Sequence, residues 1–202
     1  MTDETRKLTP ANENPWYVLM TLYGEQEGDE IDWDLHDQNR KVWNAWSCQD
    51  LDDDERAKVA ASSGIDIAET QGWDDIAAGV QERHKAEMLA RNGDDFEYRG
   101  FPDKQSIIKL SEIAFSNTVV LEKAIFTQAT RFNRATFTHA ADFSGATFTH
   151  AADFSGATFT HAADFSGATF TQDADFSGAT FTQDADFSGA TFTHAAYFGN
   201  AT

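Results

Sequence analysis

The sequence predicts a mainly β protein, a solenoid of short stacked strands over residues 113–202, preceded by a small, mostly α segment over residues 1–112. Two observations carry this prediction. From Ile113 onward an eleven-residue unit recurs, almost unvaried as Ala141-Asp-Phe-Ser-Gly-Ala-Thr-Phe-Thr-His-Ala151, and fifteen of the 17 phenylalanines stand on one lattice whose spacing alternates between six and five. Units this short cannot bury an apolar face alone, but stacked copies can. The second observation is an abrupt change of composition, because all five tryptophans and all three prolines precede the repeat.

The elements of the first segment follow in order. Trp16 to Tyr23, aromatic and branched after Pro15, reads as a strand, with a buried helical turn as the alternative. Leu35, Val42, Trp43 and Trp46 share one side of a helix expected from Trp33 to Ser47. Asp52 and Glu55 have the spacing of a capping box, opening a second helix that ends near Gly64. A third begins after Asp74 or Asp75, carries Ile76, Val80, His84 and Met88 at intervals of four, and stops at Asn92-Gly93. A linker from Tyr98 to Asp103, with Pro102, leads to the repeats.

Each repeat divides into a five, Ala141 to Gly145, and a six, Ala146 to Ala151. In both, a small residue precedes the phenylalanine by two places, so strand alternation puts the pair on one face and their polar neighbours on the other. The phenylalanines and the small residues two places before them therefore form the core.

This pattern resembles the pentapeptide-repeat family, whose motif Ala-(Asp/Asn)-(Leu/Phe)-x-x is matched at 141–145, 152–156, 163–167, 174–178 and 185–189. The resemblance implies a right-handed, four-sided β-helix with four units per coil, hence about four coils of 22 residues over 113–202. The chain departs from the strict motif by one extra residue in alternate units, at Thr118, Ala129, Ala140, Ala151, Ala162, Asp173, Asp184 and Ala195, so two opposite corners of each coil are expected to bulge. A flattened coil of eleven residues is the alternative, and it leaves little room for two inward phenylalanines.

On a 22-residue coil the outward residues also form columns. Asp142, Asp164 and Asp186 align on one face, and Asp153 and Asp175 align on the opposite face below Tyr197. Thr147/Thr149, Thr169/Thr171 and Thr191/Thr193 make three rungs of a threonine face, and Thr136/Thr138, Thr158/Thr160 and Thr180/Thr182 make another. These aspartates and threonines are the candidate interaction surface. Solubility and strand propensity account for both sets without a ligand. The resemblance implies one sharper reading, since some family members that confer quinolone resistance imitate a DNA duplex and bind gyrase in its place. The threonine rungs are similar to the ice-binding faces of insect antifreeze proteins, a third reading.

Charge and composition narrow the function. The net charge is −19, of which residues 113–202, with eight acids and three bases, hold −5, leaving −14 for residues 1–112. Direct binding to nucleic acid is therefore not expected, and a partner would be basic or would normally receive a polyanion. No Ser-His-Asp set, phosphate loop or cysteine pair has credible spacing. His139 and His161 share a column and His150 and His194 another, but neither supplies a third metal ligand. His36 and His84 have no spacing partner, and His84 reads as a core-edge residue. The expectation is a non-catalytic interaction or scaffold protein with no catalytic, metal or cofactor site, acting on an unidentified protein partner. Cys48 is the only cysteine, Met1 to Pro10 is too polar for a secretory signal, and the longest apolar stretch, Trp16 to Leu22, is far below the ~20 residues of a membrane span. The expected location is cytoplasmic, with membrane association as the alternative if the chain is a shortened form of a longer membrane protein.

A solenoid also needs caps. Residues 98–112, with Ile107, Ile108 and Leu110, are expected to cover the first coil. Nothing follows to cover Phe192, Tyr197 and Phe198, so a homodimer is expected through that C-terminal coil.

Overall fold

In the computed structural model, which describes residues 8–28, 30–93 and 95–202, the repeats wind into a parallel β-solenoid. Up to Lys7, the polar start of the chain lies outside the described residues. Strand register decides the geometry. Thr158 lies opposite Thr136 and Thr180, and Ala163 opposite Ala141 and Ala185, so one coil takes 22 residues and the flattened eleven-residue coil is excluded.

The coil has four sides, each a parallel sheet of two- or three-residue strands. The first side stacks Ile113–Phe115, Thr136–Phe137, Thr158–Phe159 and Thr180–Phe181, with Thr9–Pro10 added at its beginning. The second stacks Val119–Val120, Ala141–Asp142, Ala163–Asp164 and Ala185–Asp186. The third runs from Ile125–Phe126 through Thr147–Phe148 and Thr169–Phe170 to Thr191–Phe192. The fourth runs from Ile108–Lys109 through Thr130–Arg131, Ala152–Asp153 and Ala174–Asp175 to Ala196–Tyr197.

Phenylalanine rings fill the interior. Along each column they are nearly parallel, as in Phe143–Phe165 and Phe165–Phe187, both with centroids 4.9 Å apart. Rings from adjoining sides meet edge to face, as in Phe143–Phe154 at 5.5 Å and 86°. Both arrangements suit the aromatic quadrupole. The corners explain the five and the six. After each Asp-Phe-Ser the glycine takes a left-handed conformation (φ +61° at Gly145, +68° at Gly189), and the next amide returns to the phenylalanine carbonyl, Ala146 N to Phe143 O at 3.0 Å. At the alternate corners the extra residue turns its side chain outward, while its carbonyl still accepts from the preceding coil, as Ala162 O does from Ala141 N.

Among its described residues the first segment contains four α-helices: α1 (Pro15–Met20), α2 (Trp33–Ser47), α3 (Asp53–Ser63) and α4 (Trp73–Asn92). α2 and α3 match the sequence reading, including the reciprocal Asp52–Glu55 capping box and left-handed Gly64. The strand expected at Trp16 is instead α1. Asn14 Oδ1 accepts from Trp16 N at 2.9 Å and Pro15 occupies the first turn, which is a helix start. Trp16 through Met20 are all buried, so no polar face marks the helical period. α4 starts earlier than expected, and Ile76 is 38% exposed; Trp73 joins Val80, His84 and Met88 on the buried stripe. Among the described residues no helix is long and apolar enough to cross a membrane.

Candidate interaction surfaces

The two ends of the solenoid differ. At the beginning, residues 98–112 do not act as a separate lid, because Ile108–Lys109 is itself the first rung of the fourth side. Closure comes from the helical segment. The hydrophobic core runs without a break from Trp16, Tyr17, Trp43 and Trp46 into Phe115 and Phe126, with Tyr17 edge-on to Phe115 and Trp43 tilted against Phe126.

The first strands of three of the four sides also find partners there. On the third side α2 takes the place of a preceding strand: Asn44 Oδ1 accepts from Ile125 N (2.8 Å), Asn44 Nδ2 donates to Lys123 O (3.2 Å) and Trp43 Nε1 donates to Ile125 O (2.9 Å). One turn further, Thr127 N donates to Ser47 Oγ and Thr127 Oγ1 to Ser47 O. Thr9–Pro10 covers the first side, and Pro10 offers no amide to a further strand. On the fourth side Asn14 Nδ2 donates to Lys109 O.

An ion cluster joins the same elements. Arg40 reaches Glu122 (3.2 Å), Glu69 (3.1 Å) and Asp37 (2.8 Å), and His36 Nε2 lies 3.3 Å from Glu122. Burial, with Arg40 adding to it, holds the His36 imidazole below its ordinary pKa despite the opposing pull of Glu122 and Asp37. His84 is held low for the same first reason, with Arg91 contributing and a bond to the Pro15 carbonyl opposing. The unfolded chain therefore takes up these two protons first as pH falls below about 6.5, so folding stability declines there and the loss is complete below the folded-state values. Thermal melts at about pH 7.5 and about pH 5.5 are expected to show a lower Tm at the acid value, and a smaller difference in His36→Gln. An unchanged or rising Tm would contradict this assignment. Cys48 offers no reactive thiol, since burial pushes its pKa up to about 12.

The far end is open. Tyr197 and Phe198 are 50% and 42% exposed, and Phe181, Phe187 and Phe192 are only partly buried, whereas Phe176 one coil earlier is fully buried. Among the described residues the last strands of the second, third and fourth sides pair on one edge only, while on the first side Phe181 N donates to Thr202 O at 2.7 Å and Thr202 N to Ala179 O at 3.0 Å.

The aspartates align as the register requires, but they also build corners. Each of Asp142, Asp153, Asp164, Asp175 and Asp186 accepts through Oδ1 from the amide of the serine two residues on, at 2.7 to 2.9 Å. This side-chain turn holds the chain ahead of the left-handed glycine, a role the sequence signals through Asp-x-Ser-Gly. The Asp142–Asp164–Asp186 column begins at Val120, and the Asp153–Asp175 column runs from Arg131 to Tyr197. Burial raises the pKa of Asp142, with Asp164 and Glu122 adding to the effect, whereas the Ser188 hydrogen bonds lower that of Asp186.

The threonine rungs are less uniform than their spacing suggests. Thr147 is buried under α3, its hydroxyl 2.7 Å from Ser63 Oγ. Thr149, Thr171 and Thr193 donate to the carbonyls of Phe126, Phe148 and Phe170 in the preceding coil. Thr169 is half-buried and Thr191 exposed. His139 and His161 stack at 5.7 Å. Among the described residues, no group of three or more His, Cys, Asp or Glu side chains is placed to hold a metal ion.

Comparison with known proteins agrees with this geometry. The family model described as pentapeptide repeats (9 copies) matches residues 110–158 and 154–202. No curated protein and no solved structure matches the chain. Four parallel sides, alternating five- and six-residue units and a phenylalanine, once leucine, at each centre agree with that match: residues 110–202 are pentapeptide repeats.

Proposed function

We propose that the chain is a non-catalytic interaction protein, a rigid solenoid whose helical segment closes one end and whose final coil engages a second copy. The contrast between the two ends carries this reading. Side chains of α2, Thr9–Pro10 and Asn14 satisfy strands at the beginning, while among the described residues the last coil leaves Tyr197 and Phe198 exposed and Phe192 only partly buried. Exposed strand edges and aromatic rings favour association. Because the beginning is closed, head-to-tail growth has no acceptor, and the arrangement favoured is a closed pair joined end to end.

Sedimentation velocity of the full chain is expected to show a dimer that Tyr197→Asp with Phe198→Asp converts to a folded monomer. A stable monomer at high micromolar concentration would sink the proposal. The DNA-mimic alternative receives less support from the aspartate columns, which are only three and two carboxylates long and bounded by Val120 and Arg131. On this reading the chain leaves supercoiling by purified gyrase unaffected.

A further inference from the structure

Part of the helical segment has no role in closing the solenoid. Met88 of α4, Glu13 and Pro15 ahead of α1, and the irregular stretch 95–100 line a cleft of about 500 Å³, within the range of small-ligand sites. Met88, 2% exposed, lies at its floor, and Phe96 and Tyr98 line a wall. Glu13, Asp95 and Glu97 stand exposed around it, against one lining base, Arg99.

The wall is fixed before anything enters. Buried His84 lies 3.2 Å from the Tyr98 hydroxyl through Nδ1 and 2.9 Å from the Pro15 carbonyl through Nε2, tying two sides of the cleft together. The imidazole must donate to the carbonyl, which leaves Nδ1 to accept from Tyr98. Phe101 packs edge-on against the same imidazole and stacks on Trp73, supporting it from behind. Little ordering is then required of the protein when a ligand binds.

We propose that this cleft docks an arginine-bearing peptide segment of a partner protein. An apolar, sulfur- and aromatic-lined floor beneath three carboxylates has two requirements that one side chain meets. A guanidinium is flat and weakly hydrated, stacks on aromatic faces, and presents a fork of donors to carboxylates. A lysine ammonium supplies the charge without the flat face, and an anion meets the wrong sign. The net charge of −19 draws basic segments toward the whole chain, and the cleft converts that attraction into a defined site. The inference rests on the reading of the chain as an interaction protein, but it uses no residue of the open end or of the solenoid faces.

The test is a titration of full-length protein carrying ¹³C-methyl methionine with a tetra-arginine peptide, and separately with tetralysine. Met88 lines the cleft and Met20 lies within α1, so the two methyls separate local from general effects. The expected result is a shift of the Met88 methyl with Met20 unmoved, and tighter binding of tetra-arginine than of tetralysine. Glu13→Gln with Glu97→Gln should weaken binding about tenfold, while Asp54→Asn with Asp184→Asn, which removes equal charge from exposed positions, changes it less than about twofold. A static Met88 methyl, equal binding of the two peptides, or equal weakening by the two double variants would overturn the proposal. The Glu13/Glu97 variant should sediment as the unaltered chain does, so failure of the cleft and failure of end-to-end pairing are told apart.

Discussion

Phe154→Ala is expected to lower the stability of the chain by about 3–5 kcal/mol, the range for removing a fully buried aromatic ring. Phe154 is fully buried at the middle of its column, stacked on Phe132 at 4.8 Å and Phe176 at 5.0 Å. It also meets Phe143, Phe148 and Phe165 edge-on. The hole left by alanine would not close readily, because the backbone on both sides is held by inter-coil bonds, Phe132 N to Asp153 O and Phe154 N to Asp175 O, each 2.7 Å. Phe154→Leu should be milder, on the order of 1–2 kcal/mol, since leucine retains most of the apolar volume. Leu121 already stands at a lattice position and is 5% exposed. Phe198→Ala, at a ring 42% exposed within one chain, serves as the comparison and should cost under about 1 kcal/mol at a concentration low enough for the chain to be monomeric. Urea denaturation followed by circular dichroism measures all three. A loss below about 1 kcal/mol for Phe154→Ala would mean that the column is not the stabilising core.

Asn44→Ala should cost about 2–5 kcal/mol by a different mechanism, since each buried backbone group stripped of its partner costs about 1–3 kcal/mol. Asn44 is fully buried and holds both a donor and an acceptor of the solenoid, Ile125 N and Lys123 O. Among the described residues no strand precedes Ile125–Phe126 on that side, so Asn44 is the partner its backbone relies on there. Asn44→Asp keeps an acceptor for Ile125 N but faces the Lys123 carbonyl with a second acceptor, and it should not restore stability. Amide exchange gives the local readout: the Ile125 amide should lose protection in Asn44→Ala, while that of Phe154, on the adjoining side and one coil further along, should not. Unchanged exchange at Ile125 would refute the role assigned to α2 as the substitute edge.

How much of this was legible in the sequence varies with the length of the signal. The phenylalanine lattice repeats sixteen times with one leucine, so the inward face could be read from spacing alone, while the 22-residue coil, its columns and the bulged corners were implied by the resemblance to pentapeptide repeats. Trp16 to Leu22 is a single short apolar run without a polar face, and periodicity cannot separate strand from helix there. Asn14-Pro15 was the available sign, and it outweighs the β-branched and aromatic content. The aspartates read as outward charges, although Asp-x-Ser-Gly was the available sign of the side-chain turn that each makes with the amide of Ser144, Ser155 or a later serine. Thr147 has the same sequence context as Thr169, yet it is buried by α3.

What the sequence determined by itself was therefore the periodic part: a parallel solenoid with phenylalanine inside, because the strand period of two and the recurring unit leave one face for the core. Tertiary structure alone decided how the irregular segment meets it. The contacts of Asn44 with Ile125, His36 with Glu122 and Ser63 with Thr147 each join residues about 80 positions apart. Such pairs carry no local pattern, because their energy arises only when the unpaired edge of the first coil and the polar side of α2 are brought together and each satisfies what the other leaves buried.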